Sequence, residues 1–359
     1  MDILNYLQGM AVQHGPSGHE AEVSGWLKAR FEALCDSMTI DPLYNVIALK
    51  KATAPTKDGS PAPRVMLAAH QDEIALMVAD ILPDGSLRMG QVGGVDPRIL
   101  PASTVTVHAT GAGNGTARLL GVVGSTPPHL LSAADREHNY KREDLFVDLG
   151  LPVDKVRAQV RIGDLITLHG PATPLLNDRC AAKTMDDRAC VACLLEAAER
   201  LQKMSHICDI YFVATSQEEV GSKGASVAAH AINPDLAVAL DVTHATIPQS
   251  RPDTTVPLDA PAATYGPFVQ YKLLERLKKA AKDHGIKLNT EHAERFTYTD
   301  LDNIQIAREG VPCVLIDLPL KYMHTTVELL DMNVIRECGR LLAHFLGDLD
   351  EGWNEALWS

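Results

Sequence analysis

Val65-Met66-Leu67-Ala68-Ala69 is an unbroken apolar run that ends at His70. A strand with one wet face alternates polar and apolar residues, so a run without alternation reads as a strand covered on both faces. Cover on both faces means helices above and below, which predicts an α/β fold: a mixed sheet between two helical layers. The flanking patterns agree. Ile3, Leu7 and Met10 recur at helical spacing, Gly15-Pro16-Ser17-Gly18 forces a turn, and Val23, Trp26, Leu27, Phe31 and Leu34 form a second helical stripe. A strand is expected at 45–49, with the polar stretch 53–63 as a hairpin tip. From 186 onward, helices at 189–201, 225–230, 269–284 and 332–346 intersperse with strands at 207–214, 236–240 and 312–318. Between 75 and 170 the texture differs: short runs at 104–107, 119–123 and 165–168 are separated by Gly/Pro clusters, the mark of a small β unit. The predicted organisation is a discontinuous α/β domain, 1–74 and 171–359, interrupted by a small β-barrel-like insert at 75–170.

With 33 Lys+Arg against 46 Asp+Glu among 359 residues, the net charge of −13 argues against nucleic acid or an anionic membrane as the partner. No apolar run approaches the ~20 residues that span a bilayer. Seven cysteines, several in apolar runs and with no paired framework, suit buried thiols in a reducing compartment. Cys190-Val191-Ala192-Cys193 falls inside an apolar helix and reads as core. No secretory signal is legible at Met1-Asp2-Ile3, so a soluble, cytoplasmic protein is expected.

Metal-capable side chains gather just after the expected strands. His70 and Asp72 follow 65–69, Glu218 and Glu219 follow 207–214, Asp241 ends 236–240, and His324 lies shortly after 312–318. Open α/β sheets bind ligands outside the carboxyl ends of their strands, where these stretches converge. Asp186-Asp187 opens a helix at another edge of such a site. Singly, each has a plain reading: a strand-end His usually packs or faces solvent, and aspartates at a helix start suit its dipole. Together, two His and three carboxylates (Asp186, Glu219, Asp241) suit two borderline divalent ions, zinc first, with cobalt or manganese as alternatives. Four positive charges less three carboxylates leave one, which a bridging hydroxide neutralises. Glu218 is then left over to move protons, and Asp72 to take the far ring N–H of His70.

Ala69-His70-Gln71-Asp72-Glu73-Ile74, Lys183-Thr184-Met185-Asp186-Asp187-Arg188, Gln217-Glu218-Glu219-Val220-Gly221, Asp241-Val242-Thr243 and Tyr322-Met323-His324 resemble metallopeptidase family 42, the di-metal aminopeptidases. Gly15-Pro16-Ser17-Gly18 and Val92-Gly93-Gly94-Val95 extend the resemblance almost end to end. Gln71 stands where an apolar residue is usual. The resemblance implies that Asp186 bridges two ions, that His70 and Asp241 complete one site, and that Glu219 and His324 complete the other. It implies Glu218 as general base, supported by Asp72, and removal of the N-terminal residue from peptide substrates. It also implies a homo-oligomer built on dimers, up to a dodecamer, with the β insert as its dimerisation domain.

Two rivals are weighed. A glycoside hydrolase working through paired carboxylates leaves His70 and His324 without a role. A catalytically idle assembly protein on the same scaffold has no need of Glu218 and every ligand, yet all are present.

Overall fold

Asp2 starts the first helix by accepting from the Asn5 amide, which closes the open end of α1 (Ile3–Met10). In chain order there follow α2 (Ala21–Phe31), β1 (Ser37–Ile40), β2 (Val46–Lys50) and β3 (Arg64–His70). Next come β4 (Ala75–Ile81), β5 (Leu87–Val92), β6 (Thr104–Ala109), β7 (Ala117–Ser125), β8 (Leu145–Asp148), α3 (Val153–Gln159) and β9 (Leu165–Leu168). The rest comprises β10 (Thr173–Leu175), β11 (Arg179–Ala182), α4 (Met185–Leu201), β12 (Asp209–Thr215), α5 (Lys223–Ile232) and β13 (Leu236–His244). It continues through β14 (Ala262–Tyr265), α6 (Tyr271–Asp283), β15 (Asn289–His292), α7 (Leu301–Ile304), β16 (Cys313–Leu320), β17 (Glu328–Asp331) and α8 (Met332–Gly347). This computed structural model describes residues 1–359 except 57–58, 112, 114, 134, 355–356 and 358–359.

The chain divides into two compact units. The first, Met1–Asp72 with Pro171–Met323 and Val327–Ser359, is built on an eight-stranded sheet of order β1-β2-β12-β3-β13-β16-β14-β15. β3 runs parallel to both β12 and β13, and β13 parallel to β16, while β2 and β14 are antiparallel to β12 and β16. Both faces are covered. Leu67, Ala69, Phe212 and Leu240 pack into the larger core with α1, α2, α4 and α8. Met66, Ala68, Val213, Ala237 and Ala239 pack into a second core with α5 and α7. Burial on two sides is what the unalternating run demands.

Three local expectations need correction. The strands that flank 53–63 do not form a hairpin, because β12 is hydrogen-bonded between β2 and β3; residues 57–58 of the stretch lie outside the described residues. The backbone edges of β3 are paired with β12 on one side and β13 on the other. Asp241 lies inside β13 rather than at its end, since β16 runs alongside as far as His244. Asp186 and Asp187 do not form a regular first turn of α4, for their ψ values of 103° and 21° are non-helical.

The second unit, Glu73–Gly170 with His324–Thr326, is a closed barrel of order β4-β5-β8-β7-β6-β9. Leu76, Val78, Val105, Val107, Val147 and Ile166 fill it. It is not purely β: α3 contributes Val156 to that core. Among the described residues no helix is long and apolar enough to cross a membrane. All seven cysteines are free, and all but Cys35 are buried.

Candidate metal centre

On the α5/α7 face of the sheet, the alternation that buries Met66 and Ala68 brings His70 next, and the alternation through Ala237 and Ala239 brings Asp241. His70 pairs in the ladder with Thr215, the last residue of β12, so the loop 216–222 leaves beside it. Parallel pairing thus brings residues far apart in sequence to one end of the sheet.

The His70 ring nitrogen Nε2 lies 3.0 Å from Asp186 Oδ1 and 4.0 Å from Glu218 Oε2. Its Nδ1 lies 3.2 Å from the Asp72 carbonyl and 3.5 Å from Asp72 Oδ1. Asp72 is fully buried and accepts from Ser17 Oγ at 2.5 Å, the Glu218 amide at 3.0 Å and the Glu219 amide at 3.2 Å. It therefore holds the backbone of the loop more firmly than it holds the imidazole. Asp186 and Asp187 are joined by a cis peptide bond, and Asp187 Oδ2 accepts from the His70 amide at 3.1 Å. Ligand atoms of His70, Asp186 and Glu219 lie within 4.8 Å of one another, as do those of His70, Asp187 and Asp241.

This donor set is acidic and, Glu219 apart, buried. Burial pushes the Asp187 and Asp241 carboxyls well above the usual carboxylate range; each is raised further by nearby aspartate and opposed by His70. Burial takes Glu218 to about 8, eased by His70 and reinforced by Asp300, Asp72 and Glu219. His70 is depressed by burial, yet its bonds to Asp186 and Asp72 outweigh that and raise it well above its ordinary value. Asp187 Oδ1 is buried with no hydrogen-bond partner. Carboxylates crowded so closely, with an orphaned oxygen among them, fit multivalent cations. His, Asp and Glu donors suit ions of the zinc type.

Of the sequence-named residues, the structure brings together His70, Asp72, Asp186, Glu218, Glu219 and Asp241. His324 belongs to the barrel unit, where its Nδ1 lies 2.8 Å from the Gly94 carbonyl. Sequence reasoning passed over Asp187 as a helix-start charge, although its adjacency to Asp186 was a signal. Asp300, which the sequence reading did not name as a site residue, is buried after Thr299, accepts from Thr215 and acts electrostatically on Glu218. Nothing in the pattern of residues around 300 announces that contact. Gln71 departs from the apolar norm because its amide is provided for: it donates to the Tyr44 carbonyl at 2.7 Å and the Ala214 carbonyl at 3.3 Å.

Comparison with known proteins identifies the family. The family model described as M42 glutamyl aminopeptidase matches residues 51–341. A lysyl aminopeptidase of Pyrococcus furiosus is 36% identical over 320 residues, covering 88% of each chain. The crystal structure of a TET aminopeptidase from a marine sediment Thaumarchaeota archaeon superposes with a TM-score of 0.90 at 29% identity, covering 99% of both chains. The TET1 peptidase of Pyrococcus horikoshii, which can assemble into a tetrahedron or a large octahedral shell, gives 0.81 at 25% identity over 97% of this chain and 100% of its own. The chain thus belongs to the M42 glutamyl aminopeptidase family and is an enzyme that hydrolyses peptide bonds.

Proposed function

We propose that this enzyme removes N-terminal residues from peptides with the help of two divalent ions. The observation that carries the reading is the convergence on one end of the sheet of His70 with four carboxylates, Asp186 and Glu219 on one side and Asp187 and Asp241 on the other, more donors than one ion needs. His70, Asp186, Asp241 and Glu219 would hold the ions. His324 is carried over from the family resemblance alone; its Nδ1 lies 2.8 Å from the Gly94 carbonyl. Asp187 is added as a donor on its orphaned oxygen. Bound there, the ions would supply Lewis-acid polarisation of the scissile carbonyl and a lowered pKa for water.

Glu218 is the proton carrier. Its half-buried carboxylate lies beside the donor atoms, Oε2 4.0 Å from His70 Nε2, so it is placed to take a proton from the attacking water and give it to the departing amine. Ser222 Oγ donates to Glu218 Oε1 at 3.1 Å, which leaves Oε2, the oxygen nearer His70, for that task. Asp72 positions both His70 and the loop that carries Glu218. Zinc is the proposed metal on donor type. The barrel unit is proposed to mediate a homo-oligomer, and the seven free cysteines support a reducing, cytoplasmic location.

A panel of aminoacyl substrates, assayed with metal analysis before and after chelation, tests the reading. Turnover that tracks about two ions per chain is expected. Undiminished turnover after complete metal removal would overturn it.

A further inference from the structure

The N-cap position of α2 is held by Glu20, a residue type uncommon there, and its side chain makes no capping bond to its own helix. That carboxylate is turned elsewhere. Glu20 is fully buried, and its Oε1 accepts from the Gly18 amide at 2.7 Å and the Gln217 amide at 3.0 Å. The next two amides, Glu218 and Glu219, are the ones held by Asp72. Three consecutive N–H groups after β12 are thus gripped by two buried carboxylates from distant parts of the chain. Gln217 has φ +56°, a left-handed conformation that needs outside support in a non-glycine residue.

The turn that delivers Glu20 is itself fastened. Arg188, fully buried, donates to the carbonyls of Met10, Gln13, Gly15 and Gln71. A Cβ on Gly15 would stand 2.5 Å from Val23 and 2.8 Å from the Arg188 guanidinium, so the chain passes where only glycine fits. Ser17 adds its bond to Asp72. On the far side of the loop, Asn45 Oδ1 accepts from the Ser216 amide at 2.9 Å, and Asn45 Nδ2 donates to the Gly224 carbonyl at 3.1 Å.

We infer that Glu20 is a positioning residue: the turn 15–20 acts as a brace that fixes the Gln217–Glu219 backbone, and hence the Glu218 carboxylate, through the Glu20–Gln217 bond. The effect on turnover rests on the aminopeptidase reading; the brace does not. Both bonds use Oε1 as an acceptor, so it is the acceptor, rather than the charge, that does the bracing.

Hydrogen exchange on peptides covering 215–222 tests this first in the unaltered protein. The loop amides should exchange at least ~100-fold more slowly than in an unstructured chain, as bonded buried amides do. Fast exchange there would overturn the inference. In Glu20→Met, of similar length but without the acceptor, exchange of this segment should rise about 10-fold or more while β3 and α4 stay protected. kcat should fall by at least ~10-fold, with KM within about 3-fold and metal content unchanged, because small displacements of a reacting group cost that much. Glu20→Gln, which retains Oε1, should restore both readouts. Should Glu20→Met fail to fold, Glu20→Asp, one methylene shorter, takes its place. A folded Met variant, or in its place the Asp variant with its acceptor drawn back, that leaves exchange and kcat unaltered, or Gln behaving like the disrupting variant, would refute the brace. If the unaltered protein turns over no aminoacyl substrate, the aminopeptidase reading fails, and the exchange measurements still decide the brace.

Discussion

Glu218 and Glu219 share a side chain and a loop, yet their surroundings differ: Glu219 lies within ligand distance of His70 and Asp186, whereas Glu218 bonds Ser222 and faces Asp300. Glu218→Gln keeps the shape and removes the proton acceptor. Metal content should survive while turnover drops by at least ~100-fold, the lower end for general acid–base catalysis. Glu219→Gln should instead lose metal affinity, with partial recovery of turnover on added metal. Metal analysis and kinetics on the two variants separate the roles, and near-normal activity in both would return them to plain turn carboxylates. His70 and the acidic loop were legible in the sequence because they follow apolar strands directly. Asp187 was visible only as half of a pair, and Asp300 contacts Thr215 across 85 positions, which no local pattern encodes. Glu20 was hidden for another reason: its work is done by one oxygen on a backbone amide 197 positions away.

Helix packing sets a limit of its own. α4 and α8 cross where Gly339 meets Glu196; a Cβ there would lie 2.6 Å from Glu196 Cβ and Cγ. Gly339→Ala should therefore cost about 1–3 kcal/mol, as overpacking does, read from chemical denaturation, even though alanine favours helix. The elements themselves were largely readable from periodicity: β3, β12, β13 and α8 fall within a few residues of their predicted spans. The pairing of β2 with β12 was not, since an intervening polar stretch at 53–63 looks the same whether it closes a hairpin or skips over a strand. Asp241 was placed at a strand end because the apolar run stops at Leu240, although the backbone ladder continues to His244.

At the scale of the whole molecule, β7 leaves Leu120 64% and Val122 48% exposed on the barrel unit, apolar surface that suits burial against another copy. Sedimentation at micromolar concentration should show a dimer or larger, and Leu120→Glu with Val122→Glu should shift it toward smaller species; a strictly monomeric parent protein would contradict this. The sheet order carries a kinetic consequence. Asp72 meets the Glu218 amide across 146 positions beside the parallel pairing of β12 with β3, and His70 meets Asp186 across 116, where α4 packs on the sheet. Long-range contacts of this kind are the slow ones to form, so the cage for an ion is expected to close after the folding transition state. Cations are then expected to act on the native protein, by slowing its opening. In refolding and unfolding traces the folding limb should be the same with or without chelator, while saturating metal at about a thousand times its Kd should slow unfolding by on the order of 10³-fold. A refolding rate that climbs with metal would mean the ligands gather early, ahead of the strands that deliver them.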